Sequence, residues 1–379
     1  MPIINLTRIR IISGLFLVTF SSLAYFFVLH RSASLDWLTS SYGYALPSSL
    51  TSHSSTNYTM RVTPIHAVGQ ILVVSLPRRL DRRKGMEVMR KALQLDWSYI
   101  DAFDSNETVV DNVLHHVHAL RDFVARSRGR KNATFYPDPD LWLHTNRAQS
   151  LTSPPKPMAC AKDEDTIPDF SPSLHKYEIL SRGMIACWLS HLMALRIAAL
   201  ESAPTMILED DLDFDWDFVN IINSNWHVIP PSWEIVYLGS RSCFNFRSNI
   251  DYRKGYCWSN ETQYQPLPHS TLVRPSDAPK CSHAYIVSQT GAQKILDLLR
   301  RPNFAFSRAL DQALSYLIQK KVIESYSFVP SLVVQTKNSV SDIWGGTAYG
   351  SSWRENLTHS TRLRLDSEPV LRSHPRTHI

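Results

Sequence analysis

An α/β domain on a mixed, largely parallel sheet is the fold this sequence predicts. Short apolar runs of strand length alternate with segments whose apolar residues recur at helical spacing. One such run, Met206-Ile207-Leu208, leads straight into Glu209-Asp210-Asp211-Leu212-Asp213-Phe214-Asp215. That places an acidic turn at the carboxyl end of a strand, where open α/β sheets bind their ligands. No internal repeat competes with this reading.

The elements follow in order. Ile71 to Leu76 is an apolar run without helical spacing and reads as a buried strand. A basic segment comes next, with Arg78, Arg79, Arg82, Arg83 and Lys84, and then Met86, Met89, Leu93 and Leu95 mark a helix. Tyr99 to Phe103 reads as a second strand. Residues 105–180 read as an insertion of long loops, with one helix near Val110–Val124. From Gly183, the residues Met184, Ile185, Trp188, Leu189, Leu192, Leu195 and Ala199 form a helical pattern that Pro204 ends. After the acidic turn a helix is expected near Trp216, a strand at Ile235–Leu238 ending at Gly239, and another strand at Ala284–Val287. Helices over Gly291–Leu299 and Arg308–Leu317 and a short strand at Leu332–Val334 complete the domain, which is expected to span 66–345, with a tail over 346–379.

The N-terminus sets the expected compartment. Residues 11–29 carry no charged side chain, a length that just suffices to cross a bilayer, with Arg8 and Arg10 before them and Arg31 after. The expectation is a cytoplasmic tail over 1–10, a transmembrane signal anchor over 11–29 and a stalk over 30–65, with the folded domain in the lumen of the Golgi or endoplasmic reticulum. A cleaved signal peptide is the rival, though its apolar region is usually shorter. Sequons begin at Asn57, Asn106, Asn132, Asn260 and Asn356 on the side that would be lumenal, while the one at Asn5 would lie on the cytoplasmic side and go unused. The five cysteines include no CxxC pair, which argues against a zinc knuckle. Cys243 and Cys257 flank a polar stretch that a disulfide would close into a small loop, and Cys187 falls in an apolar helical pattern. A formal net charge of +6 suits an anionic partner such as a nucleotide sugar, and equally a nucleic acid.

The acidic turn has the chemistry of a metal–diphosphate site. Carboxylate oxygens suit Mg²⁺ or Mn²⁺, and two acids one residue apart can divide the work between cation and ribose hydroxyl. Glu209/Asp211, Asp211/Asp213 and Asp213/Asp215 all have that spacing. Asp213 and Asp215 have a second reading as caps of the following helix. The basic segment either grips the phosphates or forms a solvated helix face.

Taken together, these segments resemble glycosyltransferase family 25, which includes lipooligosaccharide and collagen galactosyltransferases. The resemblance rests on Val74-Ser75-Leu76-Pro77-Arg78-Arg79-Leu80-Asp81-Arg82-Arg83, Ile100-Asp101-Ala102-Phe103-Asp104, and Arg182-Gly183-Met184-Ile185-Ala186-Cys187-Trp188-Leu189-Ser190-His191 followed by Ile207-Leu208-Glu209-Asp210-Asp211. Later pieces are Trp233 to Gly239, Ala284-Tyr285-Ile286-Val287-Ser288 with Gly291-Ala292, the Asp311 helix, and Gln335 with Ser341-Asp342-Ile343. Ser75 stands where the family usually has Asn, and the 105–180 stretch is long. The resemblance implies a GT-A-like nucleotide-diphospho-sugar transferase fold and an inverting hexosyl transfer, with UDP-galactose the implied donor and a glycan or glycoprotein the acceptor. It implies Asp211 and Glu209 at a Mn²⁺ or Mg²⁺ ion, with Asp210 beside them. Arg78, Arg79, Arg82, Asp101, Ser190 and His191 are the implied donor-site residues. Ser190 and His191 have a second reading as braces of the acidic loop. Asp311 is either the catalytic base or a carboxylate placed for the helix dipole.

Three rivals stand against a transferase: a catalytically inactive binding protein on the same fold, a metal-independent glycosidase with paired carboxylates, and a nucleic-acid-binding protein. An uncleaved anchor and lumenal sequons would separate the domain from nucleic acid.

Overall fold

The computed structural model describes residues 64–127, 156–162, 167–239, 265–301, 304–336, 342–343, 357 and 359–367. The anchor at 11–29, most of the stalk, the sequons at Asn57, Asn132, Asn260 and Asn356, and Cys243 and Cys257 lie outside the described residues.

The chain opens with β1 (Gln70–Ser75), α1 (Leu80–Ala92), β2 (Ser98–Asp101) and α2 (Thr108–Ser127). After a short 3₁₀ turn come α3 (Arg182–Leu200), β3 (Thr205–Glu209), β4 (Leu212–Phe214) and α4 (Phe218–Asn225). The remainder is β5 (Ile235–Tyr237), β6 (Val273–Pro275), β7 (Ala284–Val287), α5 (Gln289–Leu299), α6 (Leu310–Gln319), β8 (Ser325–Phe328), β9 (Val333–Gln335) and α7 (Thr361–Ser367). Helix α2 falls where the insertion was expected to hold one. The stretch read as a tail carries α7, which packs on β4.

Seven strands form one sheet in the order β2-β1-β3-β7-β5-β8-β6. The pairings β1–β2, β1–β3 and β5–β8 are parallel, while β3–β7, β5–β7 and β6–β8 are antiparallel. Only β7 and β6 therefore run against the other five. The sheet is mixed and largely parallel, as expected.

Residue alternation sends successive side chains to opposite faces. Ile71, Val73, Met206 and Leu208 join Met86 and Met89 of α1 and Phe218 and Ile222 of α4 in one buried cluster. The residues between them face α3, which packs against β1, β2, α2, α5 and α6. Helix α3 has the length and mean hydropathy (1.5) of a membrane span, yet 72% of that window is buried. It is the central helix of the core. Its N-cap is Ser181, whose side chain accepts the Met184 amide, and α5 begins alike with Ser288 accepting from Gly291. Helix α1 ends with Gln94 at φ 53°, the left-handed residue that helix C-termini favour.

Strand β1 lies between β2 and β3, all three parallel. The chain leaves β1 toward β2 on one side, while β3 flanks it on the other. A crevice opens at their carboxyl ends, with Val74 opposite Glu209 and Ser75 opposite Asp101 in register.

Candidate active site

Three short segments meet at that crevice: the basic turn after β1, the acidic turn after β3, and the end of β9. The acidic turn reverses at Asp210-Asp211, and β4 then pairs antiparallel with β9, setting Leu212 opposite Gln335. Thr336 fastens the turn, donating to the Asp211 carbonyl from its amide (2.8 Å) and its hydroxyl (3.1 Å).

Alternation divides the acids between the two helical layers. Glu209 shares its face with Ile207 and meets α3: His191 Nε2 lies 3.7 Å from its Oε1. That is too long for a hydrogen bond but close enough for charge attraction. The other ring nitrogen, Nδ1, is bonded to the Tyr285 hydroxyl at 3.1 Å. Asp210 turns to α1, where Arg82 Nη1 donates to it at 2.9 Å and stands 3.4 Å from Asp211 Oδ2. Burial pushes the Glu209 carboxyl up, but His191, His283 and Arg82 outweigh it and hold the group below its ordinary value. For Asp210 burial prevails over Arg82 and Ser75, and the carboxyl is raised. Burial works against the Arg82 charge too, and Asp211 and Asp210 more than restore it.

The basic segment is a convergent set. Arg78 Nη2 donates to Asp342 Oδ1 at 2.7 Å, Arg79 also bonds Asp342, and Arg82 Nη2 stands 3.5 Å from it. Arg78 further pairs with Asp104, which pulls that carboxyl below its usual range. Arg79 pairs with Asp81 and draws it down to about 2. Four arginines at the N-terminal end of α1 oppose the helix dipole, so the arrangement calls for anions. Asp342 reaches them because the turn it begins lies on the start of α3. A Cβ on Gly183 would fall 2.4 Å from the Ile343 carbonyl oxygen, so only glycine leaves room there.

The remaining sequence-derived candidates divide. Asp101, 59% exposed, pairs with Arg83 at 2.6 Å and has no bond to the acidic turn. Ser190 accepts the Phe103 amide at 2.9 Å and donates to the Ala186 carbonyl, so it braces the loop after β2. His191 lies beside Glu209 at the start of the acidic turn. Ser75 is buried, accepting from Arg83 Nε at 3.1 Å and donating to the Leu76 carbonyl at 3.5 Å. Asp311 sits in the first turn of α6, accepting the amides of Gln312 (2.9 Å) and Cys281 (3.4 Å). Burial above all, with the charges of Glu209 and Asp311, raises the Cys187 thiol well above its ordinary value.

Asp213 and Asp215 leave the site. The helix near Trp216 begins at Phe218, and Asp215 accepts the Asp217 amide ahead of it. Asp213 serves α7 instead, bonding the Ser360 hydroxyl at 2.5 Å and the Arg362 amide at 3.2 Å. Gln335 and Asp342 are the residues at this crevice to which the sequence alone assigned no role. Gln335 Nε2 donates to Glu209 Oε2 at 2.8 Å and to Asp211 Oδ1 at 3.4 Å. Their signal in the sequence was the closing piece of the family resemblance. Among the described residues, no group of three or more His, Cys, Asp or Glu side chains is gathered as a metal centre.

Fold and site together define an α/β protein with an acidic turn and an arginine cluster facing each other at the carboxyl ends of its central strands. The family profile described as glycosyltransferase family 25 (LPS biosynthesis protein) matches residues 68–312, more than half of the 379-residue chain. The chain belongs to glycosyltransferase family 25. No curated protein matches it.

Proposed function

We propose that this chain is an inverting, metal-dependent hexosyltransferase that moves galactose from UDP-galactose to a hydroxyl of a glycan or glycoprotein. The observation that carries the reading is the facing of Arg78, Arg79 and Arg82 with Glu209, Asp210, Asp211 and Asp342 at one crevice. The arginines suit a diphosphate, since guanidinium and phosphate form charge-assisted bonds. The acids explain why a cation is needed as well. Three guanidiniums face those four carboxylates and Asp104, so the crevice itself carries excess negative charge. A nucleotide diphosphate enters such a site with a divalent cation beside it.

Glu209 and Asp211 have the hard oxygen donors that Mn²⁺ or Mg²⁺ prefers, and they are the residues to hold it. Bound there, the cation would stabilise the departing diphosphate. The protein's own groups do the rest. Arg78, Arg79 and Arg82 orient the phosphates. Asp311 takes the proton of the acceptor hydroxyl as its oxygen bonds to the anomeric carbon and the bond to the diphosphate breaks. His191 keeps Glu209 ionised and directed into the crevice. The apolar 11–29 segment and the sequons support a type II membrane protein of the Golgi or endoplasmic reticulum.

UDP release from a panel of UDP-sugars, measured with Mn²⁺ and with EDTA, tests this reading. Metal-dependent release from UDP-galactose is expected, and Asp211→Asn should abolish it in a protein that melts like the wild type. Turnover that survives chelation would remove the metal, and release from UDP-glucose instead would change the donor. A glycosidase would cleave sugar without nucleotide and has no use for the arginine cluster.

A further inference from the structure

Gln335 closes β9, and its backbone is fixed on both sides, by the Leu212 pairing and by the bonds of Thr336 to the Asp211 carbonyl. Its side chain is then the free variable. The amide nitrogen stands 2.8 Å from Glu209 Oε2 and 3.4 Å from Asp211 Oδ1. It completes a line of contacts running from the Tyr285 hydroxyl through His191, Glu209, Gln335 and Asp211 to Arg82. Each end of that line bears a donor fixed to another element. The middle position, between two carboxylates, is held by the weak positive end of a neutral amide.

Two anionic oxygens converging on one point make a seat for a cation. A carboxamide suits such a seat in both states, since the carbon that bears the donor nitrogen also bears an acceptor oxygen. Turning the amide over exchanges an N–H between the acids for an oxygen aimed at the same place. A lysine there would exclude the metal, and a leucine would leave the acids to repel each other.

We propose that Gln335 is the third oxygen ligand of the divalent cation held by Glu209 and Asp211, its amide nitrogen keeping the two carboxylates together until the cation arrives. The inference rests on the metal-dependent reading above. It assigns a role to a residue 124 positions away from Asp211 in sequence.

The test uses the full-length chain in detergent, titrated with MnCl₂ in the presence of UDP. The electron paramagnetic resonance signal of free Mn²⁺ reports occupancy, and thermal melts with and without MnCl₂ report stability. Gln335→Leu, of similar size but without polar atoms, should weaken Mn²⁺ binding by about tenfold or more. Gln335→Glu keeps an oxygen and should hold Mn²⁺ at least as well as wild type. Without metal it should melt lower, because a third carboxylate joins the pair, so its Mn²⁺-induced rise in melting temperature should exceed that of wild type. Unchanged affinity in Gln335→Leu would overturn the proposal. So would equal weakening in both variants, which would mark the amide N–H as a clamp only. A wild-type chain that binds no Mn²⁺ with UDP would overturn the metal reading itself, and the ligand assignment with it.

Discussion

Asp311 shows how a single residue can satisfy two demands. Its place in the first turn of α6 is the one the helix dipole favours, and its carboxylate accepts two backbone amides. Its charge, with that of Glu209 on β3, adds to the burial that raises the Cys187 thiol. A structural acid and a base beside the donor site are distinguished by kinetics. Asp311→Asn keeps the size and one hydrogen-bond acceptor, so it should lower turnover at least about 100-fold, in the range of general-base loss, while UDP-sugar KM changes little. A variant that loses donor affinity alone would remove Asp311 as the base. Composition and spacing brought out Glu209, Asp210 and Asp211 because they follow a short apolar strand. The same cue could not separate Asp213 and Asp215 from them. Their partners, Ser360, Arg362 and the Asp217 amide, are set by the placement of α7 and by the turn before α4.

At the scale of elements, glycines report where segments press together. Gly183 and Gly85 both lie in helices, yet their surroundings differ. A Cβ on Gly183 would meet the Ile343 backbone at 2.4–2.9 Å, whereas one on Gly85 would find only the Arg362 side chain, at 3.8 Å. Gly183→Ala should therefore cost roughly 1–3 kcal/mol by overpacking. It should also tighten UDP binding, since the turn carrying Asp342 must lift from the arginines and free them for phosphate. Gly85→Ala should stabilise by about 0.5–1 kcal/mol through helix propensity alone. Urea midpoints and UDP titrations of both variants check the contrast. The long helices and the apolar strands β1, β3, β5 and β7 were legible because their patterning is local, whereas β8, equally buried, was not, because Ser325 and Ser327 interrupt its apolar run. Strand order was not, and neither was the pairing of β4 with β9. That pairing joins two three-residue strands more than a hundred positions apart, and it is what delivers Gln335 to the acids.

For the whole molecule, burial of the thiols links the core to pH. Burial raises Cys160 from an ordinary value of 9.0 to about 11. In the unfolded chain that thiol ionises first, so folding stability is undiminished below about pH 9 and falls as pH rises toward 11. The two-unit gap corresponds to about 2–3 kcal/mol. Melts across this range should show the loss, and Cys160→Ala should flatten it. At pH 8 Cys160 should not react with iodoacetamide until denaturant is added.

Glu209 and Asp210 are neighbours in the chain, yet one answers to α3 and the other to α1. The motif is therefore constrained by parity as well as by composition. Deleting one residue from β3, or inserting one, would preserve every acid while exchanging their helices, so that the carboxylate kept ionised by His191 and the one raised by burial would trade places. Among relatives, drift in the length of this strand should be far rarer than drift in its apolar side chains.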